Sequence, residues 1–226
     1  MKSDFLTSIK KSNFLNENNL DRAESYADVV KHNTVYFSNK PSILKWIHKK
    51  RFKSILTLMG DISDKIILDA GSGEGYFLSQ IKAKEKYGIE ISKKRVVRSQ
   101  EILNDGKITI GDITNLPFKN QKFDLIICSE VLEHVKNYPQ AIKEFQRCLK
   151  PSGHLIVSFP NERMVGLARL LILRFPIHEI DHINRITVSK VKKFIATKFI
   201  QNHVPINNSS LCLYQIYKIK KNDLVK

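Results

Sequence analysis

The segment Ile67-Leu68-Asp69-Ala70-Gly71-Ser72-Gly73-Glu74-Gly75-Tyr76-Phe77 runs an apolar stretch into three glycines at alternate positions, with a helix-like segment behind them. Such a bend uses backbone angles that a Cβ opposes, and its bare main chain can lie in contact with a ligand. If a helix starts there, its first amides face the ligand's polar groups. By itself the motif is also compatible with a tight strand-to-helix turn and nothing more. Its spacing is GxGxG, and Tyr76 stands where a dinucleotide fingerprint places its third glycine, which argues against a nicotinamide enzyme.

Further acidic positions raise the chemical content. Glu90 ends the run Tyr87-Gly88-Ile89-Glu90 and lies 90 − 69 = 21 residues after Asp69. A carboxylate at that interval can accept hydrogen bonds from both hydroxyls of a ribose. A solvated Glu at a strand end is the plain alternative. In Gly111-Asp112-Ile113 an acid is followed by an aliphatic residue, a pair suited to an exocyclic amine and the ring beside it. Phe123 to Ser129 is a buried-type strand that delivers Ser129, Glu130, Glu133 and His134 to its end. His134 is the best placed general base, should a reaction here remove a proton. It could equally bond the local backbone at a helix start. Glu130, Glu133 and His134 at i, i+3, i+4 would share one helix face and could hold a divalent ion. We assign no metal, because a short motif of this kind has many chance matches.

The elements that must position these groups follow an alternating pattern. Strands are expected at 66–70, 86–91, 107–111, 123–129 and 154–159, with helices at 75–81, 93–104 and 138–149 between them, the signature of a mostly parallel sheet with crossover helices. Lys150-Pro151-Ser152-Gly153 reads as the turn that ends the last of these helices. Helices are also expected over 42–59, 164–175 and 187–197, and a final, reversed strand over 210–220. His178, Asp181, His182 and Arg185 form a second polar cluster that could contact a substrate or cap the helix near Thr187.

Hydrophobic residues at 42% and charged residues at 27% describe an ordinary globular chain rather than a disordered one. Cys128, Cys148 and Cys212 are scattered and form no CxxC pair, so neither a disulfide framework nor a zinc ribbon is indicated. No stretch is long and apolar enough for a transmembrane segment, and residues 1–19 lack a signal-peptide core, so a cytoplasmic protein is expected. The net charge of +16 is uneven: residues 1–60 carry 11 − 5 = +6, residues 61–139 carry 12 − 12 = 0, and residues 140–226 carry 15 − 5 = +10. Basic flanks of this kind could steer RNA or another anionic partner, or could simply be solvated faces. The stretch 164–175 is apolar with interspersed arginines; it could make peripheral membrane contact for a lipid-like substrate, or pack over the sheet as core.

Taken in order and at these distances, the segments from Ile66 to about Asn161 resemble the class I S-adenosylmethionine-dependent methyltransferases, in particular the subgroup with ubiquinone- and menaquinone-pathway enzymes. The resemblance implies an α/β, Rossmann-like, doubly wound and mostly parallel seven-stranded sheet with its last strand antiparallel. It implies S-adenosyl-L-methionine as cofactor, with Asp69, Gly71, Ser72 and Gly73 at the methionine end and sugar, Glu90 and Ile91 at the ribose, and Asp112 with Ile113 at the adenine. The main chain at Ser129 and Glu130 would lie beside the reacting sulfonium. The expected organisation is a helical arm over residues 1–60 and a methyltransferase domain over 61–226, with a cap insertion at about 160–186. The acceptor expected is a small molecule or lipid-like compound; an RNA methyltransferase and a non-catalytic cofactor-binding partner subunit are the alternatives.

Overall fold

The computed structural model describes residues 43–161, 164 and 214–221. In chain order these residues form α1 (Ile43–Met59), β1 (Ile66–Ala70), α2 (Tyr76–Ser79), β2 (Glu85–Glu90), α3 (Lys93–Ile102), β3 (Lys107–Ile110), β4 (Phe123–Ser129), a 3-10 turn (Leu132–His134), α4 (Tyr138–Cys148), β5 (Leu149–Pro160) and β6 (Tyr214–Lys220). The strands make one sheet in the order β3-β2-β1-β4-β5-β6. The first five are parallel, and β6 pairs with β5 antiparallel.

Strand alternation divides the core into two layers. Leu68, Ile126, Cys128, Leu155 and Val157 point to the face covered by α4, where they meet Ala141, Phe145 and Cys148. Their neighbours Ile67, Leu125, Ile127 and Ile156 point to the opposite face, covered by Ile55 and Leu58 of α1, Leu78 of α2 and Val96 of α3. Helices on both faces explain why the central strands are continuous apolar runs. Each fully buried aliphatic side chain contributes roughly 1.5–3 kcal/mol. The strand starts are tied as well: Asp124 accepts from the Ile66 amide at 2.9 Å and from Lys150 Nζ at 2.7 Å, joining β1, β4 and β5. Lys86, buried in β2, donates to the carbonyls of Leu78 and Ile81 and so closes the end of α2.

The doubly wound, mostly parallel α/β sheet with a reversed last strand is the architecture the sequence implied. Its described residues hold six strands against the seven expected. The helices expected over 164–175 and 187–197, the cluster His178, Asp181, His182 and Arg185, and Cys212 lie outside the described residues, Met164 apart. Two local expectations are corrected. β5 begins at Leu149, not His154: Phe123 pairs with Leu149 and Leu125 with His154, so five residues advance against two, and Lys150–Gly153 form a bulge within the strand rather than a separate turn. The segment after β4 is not a regular α-helix. Glu130 takes a left-handed φ of 56°, and only Leu132–His134 wind into a 3-10 turn.

Candidate functional site

The sheet order reverses between β1 and β4, because β2 and β3 build away from β1 on one side and β4 and β5 on the other. Ligands of open α/β sheets bind outside the strand C-termini at such a switch point. The sequence delivers its acidic and glycine motifs to that edge.

The glycine loop leaves β1 and is stitched to β2: the Gly71 and Ser72 amides both donate to the Ile89 carbonyl, at 2.8 and 3.0 Å. Gly71, Gly73 and Gly75 all have positive φ, at 85°, 56° and 83°. The reasons for glycine differ along the loop. A Cβ on Gly71 would drive into the isopropyl group of Val131, whereas one on Gly73 would meet nothing within 4 Å. Gly71→Ala therefore adds overpacking to the left-handed backbone cost and should lose about 2–5 kcal/mol of folding stability. Gly73→Ala should lose only about 1–2 kcal/mol, the backbone cost alone. Urea midpoints at unchanged slope check the ranking; equal losses would contradict it.

Glu90 is 5% exposed and clamps two loops, accepting from the Gly73 amide through Oε2 and from the Ser92 amide through Oε1, each at 2.9 Å. Each carboxylate oxygen has capacity for a further donor. Asp69 ends β1 beside it. Burial, followed by the charge of Glu90, pushes the Asp69 carboxyl up to about 7. Asp112, buried at the end of β3, orders its own turn by accepting from the Thr114 amide at 2.8 Å. Three buried carboxylates thus gather at one edge, next to bare main chain that faces open space at Gly73. That donor-poor, acid-rich arrangement suits a ligand that brings positive charge and hydroxyl groups.

The remaining sequence-assigned residues divide. The Ser72 hydroxyl is buried against Gly88, where a Cβ would come within 2.6 Å of Oγ, and it has no hydrogen-bond partner. Ile91 is half-buried just past β2, and Ile113 packs into the core layer under α4. Ser129 shares a 2.8 Å hydroxyl contact with Ser158, and Ser158 Oγ donates to Glu130 Oε1 at 2.9 Å. His134 is half-buried at the end of the 3-10 turn, its amide donating to the Val131 carbonyl at 3.0 Å. Glu130, Glu133 and His134 do not share a helix face: Glu130 turns to Ser158 and Arg51, while Glu133 is 1% exposed. Among the described residues no cluster of His, Cys, Asp and Glu fit to hold a metal ion is present.

Ser92, Ser158 and Arg51 belong to this edge and were not picked out from the sequence. Ser92 caps α3, accepting from the Arg95 amide at 3.3 Å, and a serine three residues ahead of such an amide was a readable signal. Ser158, a lone hydroxyl within Ile156-Val157-Ser158-Phe159, was another. Cys128 and Cys148 are buried; burial raises Cys128 well above the ordinary thiol value and pushes Cys148 up to about 11, as for inert packing thiols.

Comparison with known proteins finds a family match and a likeness of fold. Residues 68–157 match the methyltransferase-domain family, a span that contains every acidic and glycine position above. An uncharacterized protein of Methanocaldococcus jannaschii is 38% identical over 114 residues, covering 49% of each chain. A demethylmenaquinone methyltransferase of Thermotoga maritima is 27% identical over 109 residues, covering 46% of this chain and 48% of its own. The chain spans about half the length of these curated relatives. Among solved structures, magnesium protoporphyrin IX methyltransferase from Synechocystis, with bound S-adenosylhomocysteine, superposes with a TM-score of 0.62 at 19% identity over 88% of this chain and 95% of that one, a likeness of fold. Residues 68–157 therefore carry a match to the methyltransferase-domain family, on a fold shared with a solved methyltransferase that holds S-adenosylhomocysteine.

Proposed function

We propose that the protein transfers a methyl group from S-adenosyl-L-methionine to a small-molecule or lipid-like acceptor in the cytoplasm. The observation that carries this reading is the meeting of Glu90 with the Gly73 amide at the sheet's switch point, with Asp69 and Asp112 on the neighbouring strand tips. In this reading Asp69, Gly71, Ser72 and Gly73 receive the methionine end and sugar, the first by its side chain and the loop by its main chain. Glu90 and Ile91 hold the ribose diol, Asp112 and Ile113 the adenine, and the main chain at Ser129 and Glu130 borders the reacting centre. When bound, the cofactor supplies an activated methyl on a sulfonium. The chain's part is to fix donor and acceptor in near-attack geometry and exclude water. His134 takes a proton only where the acceptor must lose one.

The acceptor class is supported by the apolar stretch 164–175 and by the quinone substrate in the name of the Thermotoga relative. The proposed organisation is an arm over residues 1–60 and a domain over 61–226 with a cap near 160–186. An RNA acceptor is the second reading, favoured by Lys49, Lys50 and Lys53, which α1 exposes. Incubating the protein with methyl-labelled donor and fractionated cell extract separates the two. Label in the small-molecule or lipid fraction is expected; label confined to RNA, together with RNA affinity that falls steeply with salt, would overturn the acceptor proposed.

A further inference from the structure

Arg51 lies outside the residues that match the methyltransferase family, yet it reaches the edge where the glycine loop sits. Its side chain is 11% exposed, and Nη1 stands 3.2 Å from Glu130 Oε2. The guanidinium also lies over the Tyr214 ring at 4.7 Å, so one α1 side chain bridges the end of β4 and the start of β6. Its partner holds a strained conformation. Glu130 has a φ of 56° without being glycine. Such a backbone persists only where surrounding contacts over-determine it. Here three contacts do so: the Glu130 amide donates to the Ser158 carbonyl at 3.0 Å, Ser158 Oγ donates to Glu130 Oε1 at 2.9 Å, and Arg51 takes the other carboxylate oxygen.

The turn at Glu130 decides where Val131 goes. Val131 lies against Gly71 so closely that a Cβ there would stand 2.9 Å from Cγ1, and Gly71 opens the glycine loop with a φ of 85°. A continuous physical chain therefore runs from α1 through Glu130 and Val131 to the loop. We propose that Arg51 is a positioning residue: it latches Glu130 in its left-handed turn and thereby seats Val131 under Gly71, so that the arm helix sets the order of the glycine loop. The latch rests on the proposed function only in taking that loop as the seat of the methyl donor.

Hydrogen exchange of the full chain tests the latch without any ligand. Arg51→Met keeps an apolar stem against Tyr214 and removes the guanidinium. Amides in 70–76 and 129–135 should then exchange about tenfold faster, within the ordinary range for coupling between sites, while those of β3 keep their rates. Glu130→Gln, which retains an oxygen for Ser158 and loses the ion pair, should give the same pattern. The double variant should be no faster than either single, since both remove one interaction. Wild-type rates in 70–76 for both singles, or acceleration spread evenly over the sheet, would overturn the proposal. A parallel titration with S-adenosylhomocysteine should show about tenfold weaker binding to Arg51→Met. If the wild-type protein fails to bind S-adenosylhomocysteine while the exchange pattern is as expected, the latch stands and the donor assignment of the loop falls.

Discussion

Glu90→Ala is expected to weaken binding of S-adenosylhomocysteine by about 1.5–3 kcal/mol, the range for a lost charge-assisted hydrogen bond. At 1.4 kcal/mol per factor of ten, that is a loss of roughly ten- to more than a hundredfold by calorimetry. The side chain acts from both sides. Toward the ligand it offers one further lone pair on each oxygen; toward the protein it holds the Gly73 and Ser92 amides. Removing it strands both donors, so the variant should also unfold more readily, and binding is measured where it is still folded. Glu90→Gln separates the two functions, because an amide oxygen can keep one loop amide but cannot accept from two hydroxyls. Affinity within twofold of wild type for the alanine variant would remove the ribose assignment.

Asp69 gives the second large effect, through pH. Its folded carboxyl is raised to about 7 from an ordinary 3.8, by burial first and by Glu90 second. The folded state therefore keeps a proton that the unfolded chain releases above about pH 4. Asp69's contribution to stability is fully present below the unfolded value and falls as pH rises to about 7, by roughly 4 kcal/mol at 1.36 kcal/mol per unit. Other carboxylates act with the opposite sign. In Glu144, burial is outweighed by the hydrogen bonds of Arg147 and the Leu116 amide, which hold it below its ordinary value. The measurement is thus a difference. Asp69→Asn should gain on wild type by roughly that amount between pH 4 and pH 7.5 in urea unfolding, and a difference independent of pH would refute the buried-acid account. A cationic ligand group beside Asp69 would draw its proton off, so binding near pH 6 should release protons and its apparent enthalpy should vary with the buffer's ionisation heat.

These groups could be found in the sequence because local rules govern them. The glycines mark backbone angles, Glu90 sits at a fixed interval past β1, and the apolar runs at Ile67–Leu68 and Leu125–Cys128 announce strands covered on both faces. β1 and β4 have the bounds expected of them. What escaped was set by contacts between distant segments. Nothing periodic links Arg51 to Glu130, 79 residues later, and no propensity scale asks for a left-handed glutamate. The shared helix face expected for Glu130, Glu133 and His134 failed for that reason: the spacing was helical, but Ser158 and Arg51 fixed Glu130 in a different turn. Likewise, the prolyl turn expected at 150–153 was absorbed by β5, whose pairing with β4 resumes on both sides of it.

That surplus of backbone in β5 lies at the rim opposite the glycine loop, where Pro151 and Ser152 are exposed. Extra length has already been accommodated there without altering the pairing from Leu125 to Ser129. An epitope or fluorescent reporter grafted between those two residues would ride on the far end of the molecule, leaving the acidic strand tips undisturbed. This rim is the natural handle for tethering the protein to a surface with the strand C-termini directed away from it.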